Sequence, residues 1–239
     1  MRILITRPIV DARQTAHDLA VHDIDTVIAP LFELEYLTPA IPEQNYQAAI
    51  FTSRHSARHF VQQYTPQSIP AFCVGNETAA ILHETGFHPV YSADADAIAL
   101  HHMITEHITD KSRPILRLHA ALEHDPLYDW LIADGFNITR AALYRTNPVL
   151  TLPDAAIDAL KNGTVNGVCL YSPNAARHFT TLIRDAGLSD TCRHMTAWCI
   201  SENTKAALDL LSFGHISVSD HPSHHAMVRL MSKNCEKDR

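Results

Sequence analysis

A ten-residue phrase occurs twice in this chain, and no other feature limits the possible folds as strongly. The sequence FTSRHSARHF covers residues 51–60, and LYSPNAARHF covers residues 170–179. Ser, Ala, Arg, His and Phe occupy matching places, and an apolar run precedes each copy. An apolar run followed by a Ser and an amphipathic stretch is typical of a buried strand that leads into a helix. We therefore expect one β-α unit to be present in two copies.

A second pair of similar segments follows the first pair in the same order. CVGNETAAILHETGFHPV begins at Cys73 and CISENTKAALDLLSFGHISV begins at Cys199, so that Thr78 aligns with Thr204. Each half then consists of a strand, a Ser, a helix, a second strand, a polar turn with Thr, a helix, a Gly and a third strand. Units of the β-α type share composition, so chance similarity is the alternative. Two ordered matches favour two similar α/β domains.

Short strand-like runs alternate with longer helix-like runs along the whole chain. In residues 53–64, apolar side chains recur at the helical period, and Ser172-Pro173 suits a helix start, because Ser caps and Pro fits the first turn. The candidate strands are residues 2–6, 26–29, 48–52, 71–74, 114–118, 167–171 and 197–200. This alternation predicts parallel sheets covered by helices on both faces.

Residues 28–37 and 138–149 do not follow this rhythm, because they are extended, partly alternating and rich in β-formers. If the chain leaves one domain through the first segment and returns through the second, the two can pair as antiparallel connectors. We therefore predict two α/β domains with a cleft between them. The expected division is a discontinuous domain of residues 1–30 and 149–239, an inserted domain of residues 41–137, and connecting strands at residues 31–40 and 138–148.

The composition is that of a globular protein, with 239 residues, 46% of them hydrophobic and 19% charged. No apolar run approaches the ~20 residues of a membrane helix, so no membrane partner is expected. The N-terminal MRILITRPIV reads as a first strand rather than a signal peptide. The five cysteines have no CxxC spacing. Buried thiols in a reducing cytoplasm are the expected state.

The charge pattern narrows the class of ligand. The formal net charge is −7 and Lys and Arg form no dense cluster, which argues against nucleic acid. The 17 histidines follow no zinc-binding spacing, so we interpret them as a composition bias and predict no metal. Dinucleotide, P-loop, nucleophile-elbow and HExxH motifs are missing from the sequence. Cofactor-free chemistry or plain binding remains.

Four residues follow predicted strands at places where helices should begin: Ser53, Gly75, Ser172 and Ser201. Ligands of parallel α/β sheets bind beyond the carboxyl ends of the strands, and helix N-termini attract anions. A set of such ends could hold a polyanionic ligand without a basic surface. Simple helix capping is the alternative role for each Ser taken singly.

Nearly the full length of the chain resembles the uroporphyrinogen-III synthase family. The similar stretches, in order, are ILITRP (3–8), IFTSRHSARHF (50–60), VGNETAAILHETGF (74–87), ILRLHA (115–120), LIADGFNITRAALYRT (131–146), LYSPNAARHF (170–179) and ISENTKAAL with GHISVSD (200–220). The resemblance implies a monomeric two-domain enzyme that needs no cofactor or metal. Its substrate would be the linear tetrapyrrole hydroxymethylbilane, which the family closes to uroporphyrinogen III in haem biosynthesis. Water leaves, an azafulvene forms, and the last ring is inverted through a spiro intermediate.

The resemblance also implies roles for individual residues. Tyr144 matches the family's cleft tyrosine and would donate a proton or a hydrogen bond to the leaving hydroxyl; a solvated tyrosine in the connector is the alternative. Arg7 and Arg117 match arginines that would pair with carboxylates, although either could equally form a structural ion pair. The residues that match positions near helix starts, and would meet ring carboxylates, are Ser53, Thr78, Ser172 and Thr204.

Two departures from the family pattern affect these roles. Ser201-Glu202 stands where members commonly have Gly-Pro, and Glu202 places a negative charge beside Thr204. The turn in residues 118–125 lacks the usual glycines, and His119 could take over as a donor there. A non-catalytic two-domain protein that binds a small polyanion is the alternative function, because a fold does not by itself imply catalysis.

Overall fold

The computed structural model describes residues 1–64, 68–121 and 124–237. Within these ranges the strands are β1 (Arg2–Ile5), β2 (Asp25–Ile28), β3 (Phe32–Tyr36), β4 (Ala48–Phe51), β5 (Ala71–Cys73), β6 (Val90–Ser92), β7 (Ile115–Ala120), β8 (Ile138–Pro148), β9 (Gly167–Leu170), β10 (Thr196–Cys199) and β11 (His215–Val218). The α-helices are α1 (Ile9–Ala20), α2 (Arg54–Gln63), α3 (Asn76–His83), α4 (Ala97–His107), α5 (Pro126–Ala133), α6 (Asp154–Lys161), α7 (Pro173–Asp185), α8 (Glu202–Ala206) and α9 (His224–Lys237). A 3₁₀ helix covers Ser189–His194.

The chain divides into two compact units. Unit 1 contains Met1–Glu33 and Asn147–Arg239, and unit 2 contains Leu34–Thr146. A five-stranded sheet of order β11-β10-β9-β1-β2 belongs to unit 1, and a six-stranded sheet of order β3-β8-β7-β4-β5-β6 is centred on unit 2. In the first sheet β1 pairs in parallel with β2, and β9 with β10. In the second sheet β4 pairs in parallel with β5, and β5 with β6. The predicted α/β class with parallel sheets is confirmed.

The central strands β4 and β9 are buried on both faces, which explains why they are continuous apolar runs. In β4, Ala49 and Phe51 pack into one hydrophobic cluster and Ile50 into the other. In β9, Leu170 and Cys169 likewise enter opposite clusters. Successive strand residues point to opposite faces, so a strand between two helical layers needs apolar side chains at every position.

The sequence repeat corresponds to a repeat of strand register and packing. Ala49 pairs with Ala71 in unit 2, and the aligned residue Val168 pairs with Ala197 in unit 1. The Ala and Phe of each repeated phrase are core residues of the following helix: Ala57, Phe60, Ala176 and Phe179 are all buried. Two copies of one phrase therefore encode two copies of one strand-helix packing unit.

One pair of aligned positions shows how the two cores adjust to different side-chain volumes. Gly167 of β9 lies under Trp198, where an added Cβ would come within 2.3 Å of the indole ring. The aligned residues in unit 2 are Ala48 and Phe72, which share one hydrophobic cluster. The larger ring, Trp198, therefore packs on the smaller residue, Gly167, while the smaller ring, Phe72, shares a cluster with the larger residue, Ala48. Close packing requires such compensation of volumes.

Strands β3 and β8 carry the chain between the units and are neighbours in the six-stranded sheet. The Leu37 amide donates to the Leu143 carbonyl at 2.8 Å, and the Val149 amide donates to the Leu31 carbonyl at 3.0 Å. The two segments therefore run antiparallel to each other. The second segment is more than a connector, because β8 also pairs in parallel with β7. A search of the described helices finds none long and apolar enough to span a membrane.

Candidate functional site

Four helices start immediately beyond the carboxyl ends of neighbouring strands. Helices α2 and α3 follow β4 and β5 in unit 2, while α7 and α8 follow β9 and β10 in unit 1. Their N-cap residues all have extended backbones and are the four predicted from the sequence: Ser53, Gly75, Ser172 and Ser201. The prediction that each begins a helix is confirmed, and their contact with a ligand stays a prediction.

Helices α3 and α7 keep backbone amides available in their first turns. Gly75 offers no side-chain acceptor to α3, and a Cβ built on it would meet no atom within 4 Å. In α7 the Ser172 Oγ accepts the Ala175 amide at 3.0 Å, and Pro173 has no N–H. The Asn174 amide has no acceptor in the described part of the chain. Such amides, with the helix dipole behind them, suit a carboxylate.

Helix α8 is a weaker anion site than its counterpart α3. It has only 5 residues, so fewer peptide dipoles align, while each of the two helices has one glutamate in its first turn, Glu202 in α8 and Glu77 in α3. The Ser201 Oγ lies 3.0 Å from the Thr204 Oγ1 and accepts the Thr204 amide at 3.3 Å. Thr204 is 0% exposed. In this conformation its hydroxyl completes the helix cap and does not reach solvent.

Tyr144 and Ser53, which lie far apart in sequence, meet at the start of α2. The Tyr144 hydroxyl donates to the Ser53 Oγ at 2.9 Å, and the same Oγ accepts the His55 amide at 3.1 Å. The Tyr144 ring is T-shaped to His55, with centroids 5.6 Å apart, and 6.5 Å from the Tyr36 ring. Tyr144 is 7% exposed. The structure thus holds a buried phenolic hydroxyl in contact with the N-cap of a helix.

Arg117 is buried close to Tyr144 and Ser53 and does not lie at the surface. Its side chain is 1% exposed and forms an ion pair with Asp125 at 3.2 Å. It also donates to the Thr52 Oγ1 at 3.2 Å, next to Ser53. Burial lowers the pKa of the guanidinium from its ordinary value, and the Asp125 carboxylate acts against that shift. Arginine stays charged throughout, so Arg117 supplies a fixed positive charge close to Tyr144.

Arg7 has a similar buried position in unit 1. Its guanidinium lies 3.4 Å from the Asp11 carboxylate, donates to Thr15 at 3.1 Å and stacks over the Tyr171 ring at 4.1 Å. It also donates to the Nδ1 of His224 at 2.9 Å, so that nitrogen must be the acceptor and Nε2 carries the proton toward Asp18. Both predicted arginines therefore have internal carboxylate partners.

Thr78 and the turn after β7 complete the set predicted from the sequence. Thr78 is buried in the first turn of α3, where Glu77 forms an ion pair with Arg54 of α2. His119 is also buried, which lowers its pKa, and its Nδ1–H donates to the Ala120 carbonyl. That nitrogen is therefore occupied. Leu122 and Glu123 of the same turn lie outside the described residues.

A shallow pocket of about 290 Å³ beside α7 was not predicted. It is lined by Phe32, Asn174, Arg177, His178 and Thr181. Arg177 donates to the Asn174 Oδ1 at 2.9 Å, which places its charge near the available Asn174 amide. Arg177 and His178 belong to the repeated phrase, and their recurrence was the signal in the sequence. Within this pocket the Asn174 amide and the Arg177 guanidinium are the groups that suit a carboxylate, while the His178 Nε2 is bonded to the Val149 carbonyl.

The buried cysteines are structural. Burial raises the pKa of the Cys73 thiol to about 11 and that of the aligned Cys199 to about 12. Both stay protonated near neutral pH and are poor nucleophiles. Among the residues that the structure describes, no group of three or more His, Cys, Asp or Glu side chains could hold a metal ion.

Comparison with known proteins identifies the family. A family profile described as uroporphyrinogen-III synthase HemD matches residues 13–229. The uroporphyrinogen-III synthetase of Helicobacter pylori has a similar fold, with 18% identity, a TM-score of 0.65, and coverage of 98% of this chain and 100% of that one. A mutant uroporphyrinogen III synthase of the extreme thermophile Thermus thermophilus matches with 14% identity, a TM-score of 0.59 and 99% coverage of both chains. No curated protein matches the sequence.

Proposed function

We propose, from the premise that this chain belongs to the uroporphyrinogen-III synthase family, that it closes hydroxymethylbilane to uroporphyrinogen III with inversion of the last ring and loss of water. The observation that carries the chemistry is the Tyr144 hydroxyl, held 2.9 Å from Ser53 at the start of α2. Because the chain belongs to an enzyme family, we set aside the alternative of a non-catalytic binding protein, for which the comparisons give no support.

Binding is proposed to rest on backbone amides more than on surface cations. Every ring of the substrate carries carboxylates, and each unit presents helix starts with first-turn amides. In unit 2 the best site is α3, whose glycine cap leaves the backbone open. In unit 1 it is α7, where Asn174 and Arg177 lie together. A chain with net charge −7 can attract a polyanion in this way because aimed dipoles act at short range.

Tyr144 is proposed to act on the leaving hydroxyl. The phenol turns its proton from Ser53 toward the substrate oxygen. The C–O bond breaks, its electrons leave with the oxygen, and the pyrrole nitrogen lone pair shifts into the ring to form the exocyclic C=C bond of the protonated azafulvene. Water leaves with the Tyr144 proton. The Ser53 hydroxyl can then donate to the phenolate, and the positive charge of Arg117 favours it. The proton released when the new pyrrole-to-carbon bond forms restores the phenol. General acid catalysis of this kind contributes ~10²–10⁴ in rate.

Orientation is proposed to supply the remaining selectivity. Holding the attacking and departing ends of one chain in a single geometry converts a choice of products into one outcome. A monomeric state and a cytoplasmic location remain predictions, as do the absence of a nucleic-acid partner and independence from cofactors.

The activity is tested with enzymatically generated hydroxymethylbilane. We expect the type III isomer to dominate over type I, which forms when the bilane closes without inversion, and we expect no dependence on added metal after chelation and dialysis. Product that contains only the type I isomer, formed at the rate seen without protein, would contradict the proposed function.

The role of Tyr144 is tested by Tyr144→Phe, which keeps the ring and removes the hydroxyl. We expect kcat to fall ~10²–10⁴-fold with the fold and substrate binding preserved. Tyr64→Phe is a matched control, because it removes another hydroxyl of unit 2 that donates to the Pro39 carbonyl at 2.7 Å. Near-full activity of Tyr144→Phe, with type III product, would remove Tyr144 from the mechanism and leave catalysis by orientation.

A further inference from the structure

The histidine of the repeated phrase makes the same bond in both units. The His59 Nε2 on α2 lies 2.8 Å from the Leu37 carbonyl, and the His178 Nε2 on α7 lies 2.9 Å from the Val149 carbonyl. A carbonyl oxygen only accepts, so each Nε2 carries the proton and donates it. Each helix therefore holds the backbone at one end of the two connecting strands.

The two acceptor residues are equivalent in the connector. Leu37 donates its amide to the Leu143 carbonyl, and Val149 donates its amide to the Leu31 carbonyl. The next residue after Leu143 is Tyr144, whereas the next residue after Leu31 is Phe32. We call the hydrogen bond from the histidine Nε2 to the connector carbonyl the clamp. The clamp lies beside a phenol, Tyr144, in unit 2 and beside a ring without a hydroxyl, Phe32, in unit 1.

His59 contributes to two of the contacts that align Tyr144. The Leu37–Leu143 hydrogen bond fixes the backbone next to Tyr144, and His59 holds Leu37. The Tyr36 ring faces the Tyr144 ring, and His59 stacks on Tyr36 with centroids 4.8 Å apart and planes at 27°. A further contact is the hydrogen bond from the Tyr144 hydroxyl to Ser53, the N-cap of the same helix.

From this geometry we infer that His59 is a positioning residue for Tyr144, a role that rests on the proposed function of the phenol. His59 fixes strand β3 to helix α2, so the phenol keeps its direction toward the helix start. A misplacement of about 1 Å can cost ~10²-fold in rate, so a hydrogen bond remote from the substrate can affect turnover. His178 makes the same bond in unit 1, where its ring is tilted against Phe32 with centroids 5.2 Å apart, and no phenol among the described residues lies there.

The first measurement reads the position of Tyr144 directly. In protein labelled with 3-fluorotyrosine, the ¹⁹F signal that Tyr144→Phe removes is assigned to residue 144. His59→Phe keeps an aromatic ring and loses the donor, and we expect it to shift or broaden that signal. His178→Phe should leave the signal unchanged. A signal that His59→Phe does not alter would overturn the positioning role, whether or not Tyr144 proves to be catalytic.

The second measurement reads the consequence for turnover. We expect His59→Phe to lower kcat ~10-fold with KM changed less than ~2-fold, and His59→Gln, which restores an N–H donor, to recover most of the loss. His178→Phe should keep kcat within ~2-fold. In the Tyr144→Phe background, His59→Phe should have no further effect on kcat, because the two residues act as one unit.

The outcomes separate the two proposals. Full activity of Tyr144→Phe together with a shifted ¹⁹F signal in His59→Phe would disprove the acid role of Tyr144 and retain the placement of its ring by His59. Equal losses of kcat in His59→Phe and His178→Phe, in proportion to their losses of stability, would make both histidines merely structural and overturn the inference.

Discussion

Unit 1 and unit 2 use one scaffold for unequal tasks. Each places a strand, a serine cap and a helix in the same register, and each clamps the connector with a histidine of the repeated phrase. At the equivalent position on the connector, unit 2 has Tyr144 and unit 1 has Phe32. Helix starts are thus present in both copies, while the phenol is present in one. In the proposed function, duplication provides binding surface for a ligand with many carboxylates, and a single hydroxyl adds the chemistry.

The buried arginines differ in a way that matters for stability. Arg117 depends on Asp125 for charge compensation, with other bonds to a neutral hydroxyl and a carbonyl. Arg7 is supported by Asp11, Thr15, the face of Tyr171, and His224, which leads to a second carboxylate at Asp18. Removal of its carboxylate partner therefore leaves the Arg117 guanidinium with less charge compensation than removal of Asp11 leaves Arg7.

The largest expected effect follows from this difference. Asp125→Ala leaves a buried guanidinium without its main counter-charge, which costs about 3–5 kcal/mol, and it also removes the α5 cap, since Asp125 accepts the Tyr128 amide. Asp11→Ala should cost less, about 1–2 kcal/mol, because the other partners of Arg7 remain. Asp125→Asn keeps a capping oxygen and isolates the effect of charge.

The chain offers one fluorescent reporter for each unit. Trp198 lies in β10 of unit 1 and Trp130 in α5 of unit 2, and the sequence has 2 tryptophans. Urea unfolding of single-tryptophan variants then assigns each loss to a unit. Equal losses from Asp125→Ala and Asp11→Ala would show that the two arginines are equally supported, contrary to the comparison.

A somewhat smaller effect is expected where the two cores differ in volume. Gly167→Ala should destabilise unit 1 by about 3 kcal/mol, because the new Cβ would meet the Trp198 ring at 2.3 Å and the Thr196 carbonyl at 2.2 Å. Adding Trp198→Phe, the ring size found in unit 2, should restore only part of the loss, since the contact with the carbonyl persists.

Gly75→Ala is the matched control for this substitution. Its backbone is extended and a Cβ there meets nothing within 4 Å, so stability should change by less than about 0.5 kcal/mol. Thermal and urea unfolding of the three variants check this order. Gly167→Ala protein as stable as the parent would show that β9 can move away from β10, and would refute the volume argument.

The sequence predicted the fold well because its repeat is a packing repeat. The Ala and Phe of the phrase are buried for the same reason in both copies, and helix caps such as Ser53 and Ser172 are local signals. The parallel pairing of β8 with β7 was not predicted, because an alternating strand gives no sign of its second neighbour.

The candidate site was predicted less completely than the fold. The bond between Tyr144 and Ser53 joins residues 91 apart in sequence, so it follows from strand order and not from any local pattern. The clamp by His59 was visible only as a repeated letter, since a buried histidine and a solvated one look alike in sequence. The partners of Arg7 and Arg117 likewise come from other elements of the fold.

The smallest effects should come from the serine caps, and they compare the two copies of the phrase most directly. Ser172→Ala removes the bond to the Ala175 amide and should cost about 1 kcal/mol in unit 1, with activity lowered only modestly, because the Asn174 amide and its dipole remain. Ser53→Ala costs a similar cap in unit 2, but it also removes the acceptor of the Tyr144 hydroxyl. We therefore expect a larger fall in kcat for Ser53→Ala than for Ser172→Ala at similar loss of stability, measured with the bilane assay and urea unfolding.

If Ser172→Ala abolished turnover in folded protein, that hydroxyl would have to act chemically, and binding by backbone amides would be the wrong account of unit 1. If the two variants lost equal activity, the bond from Tyr144 to Ser53 would have no bearing on the proton that Tyr144 is proposed to give.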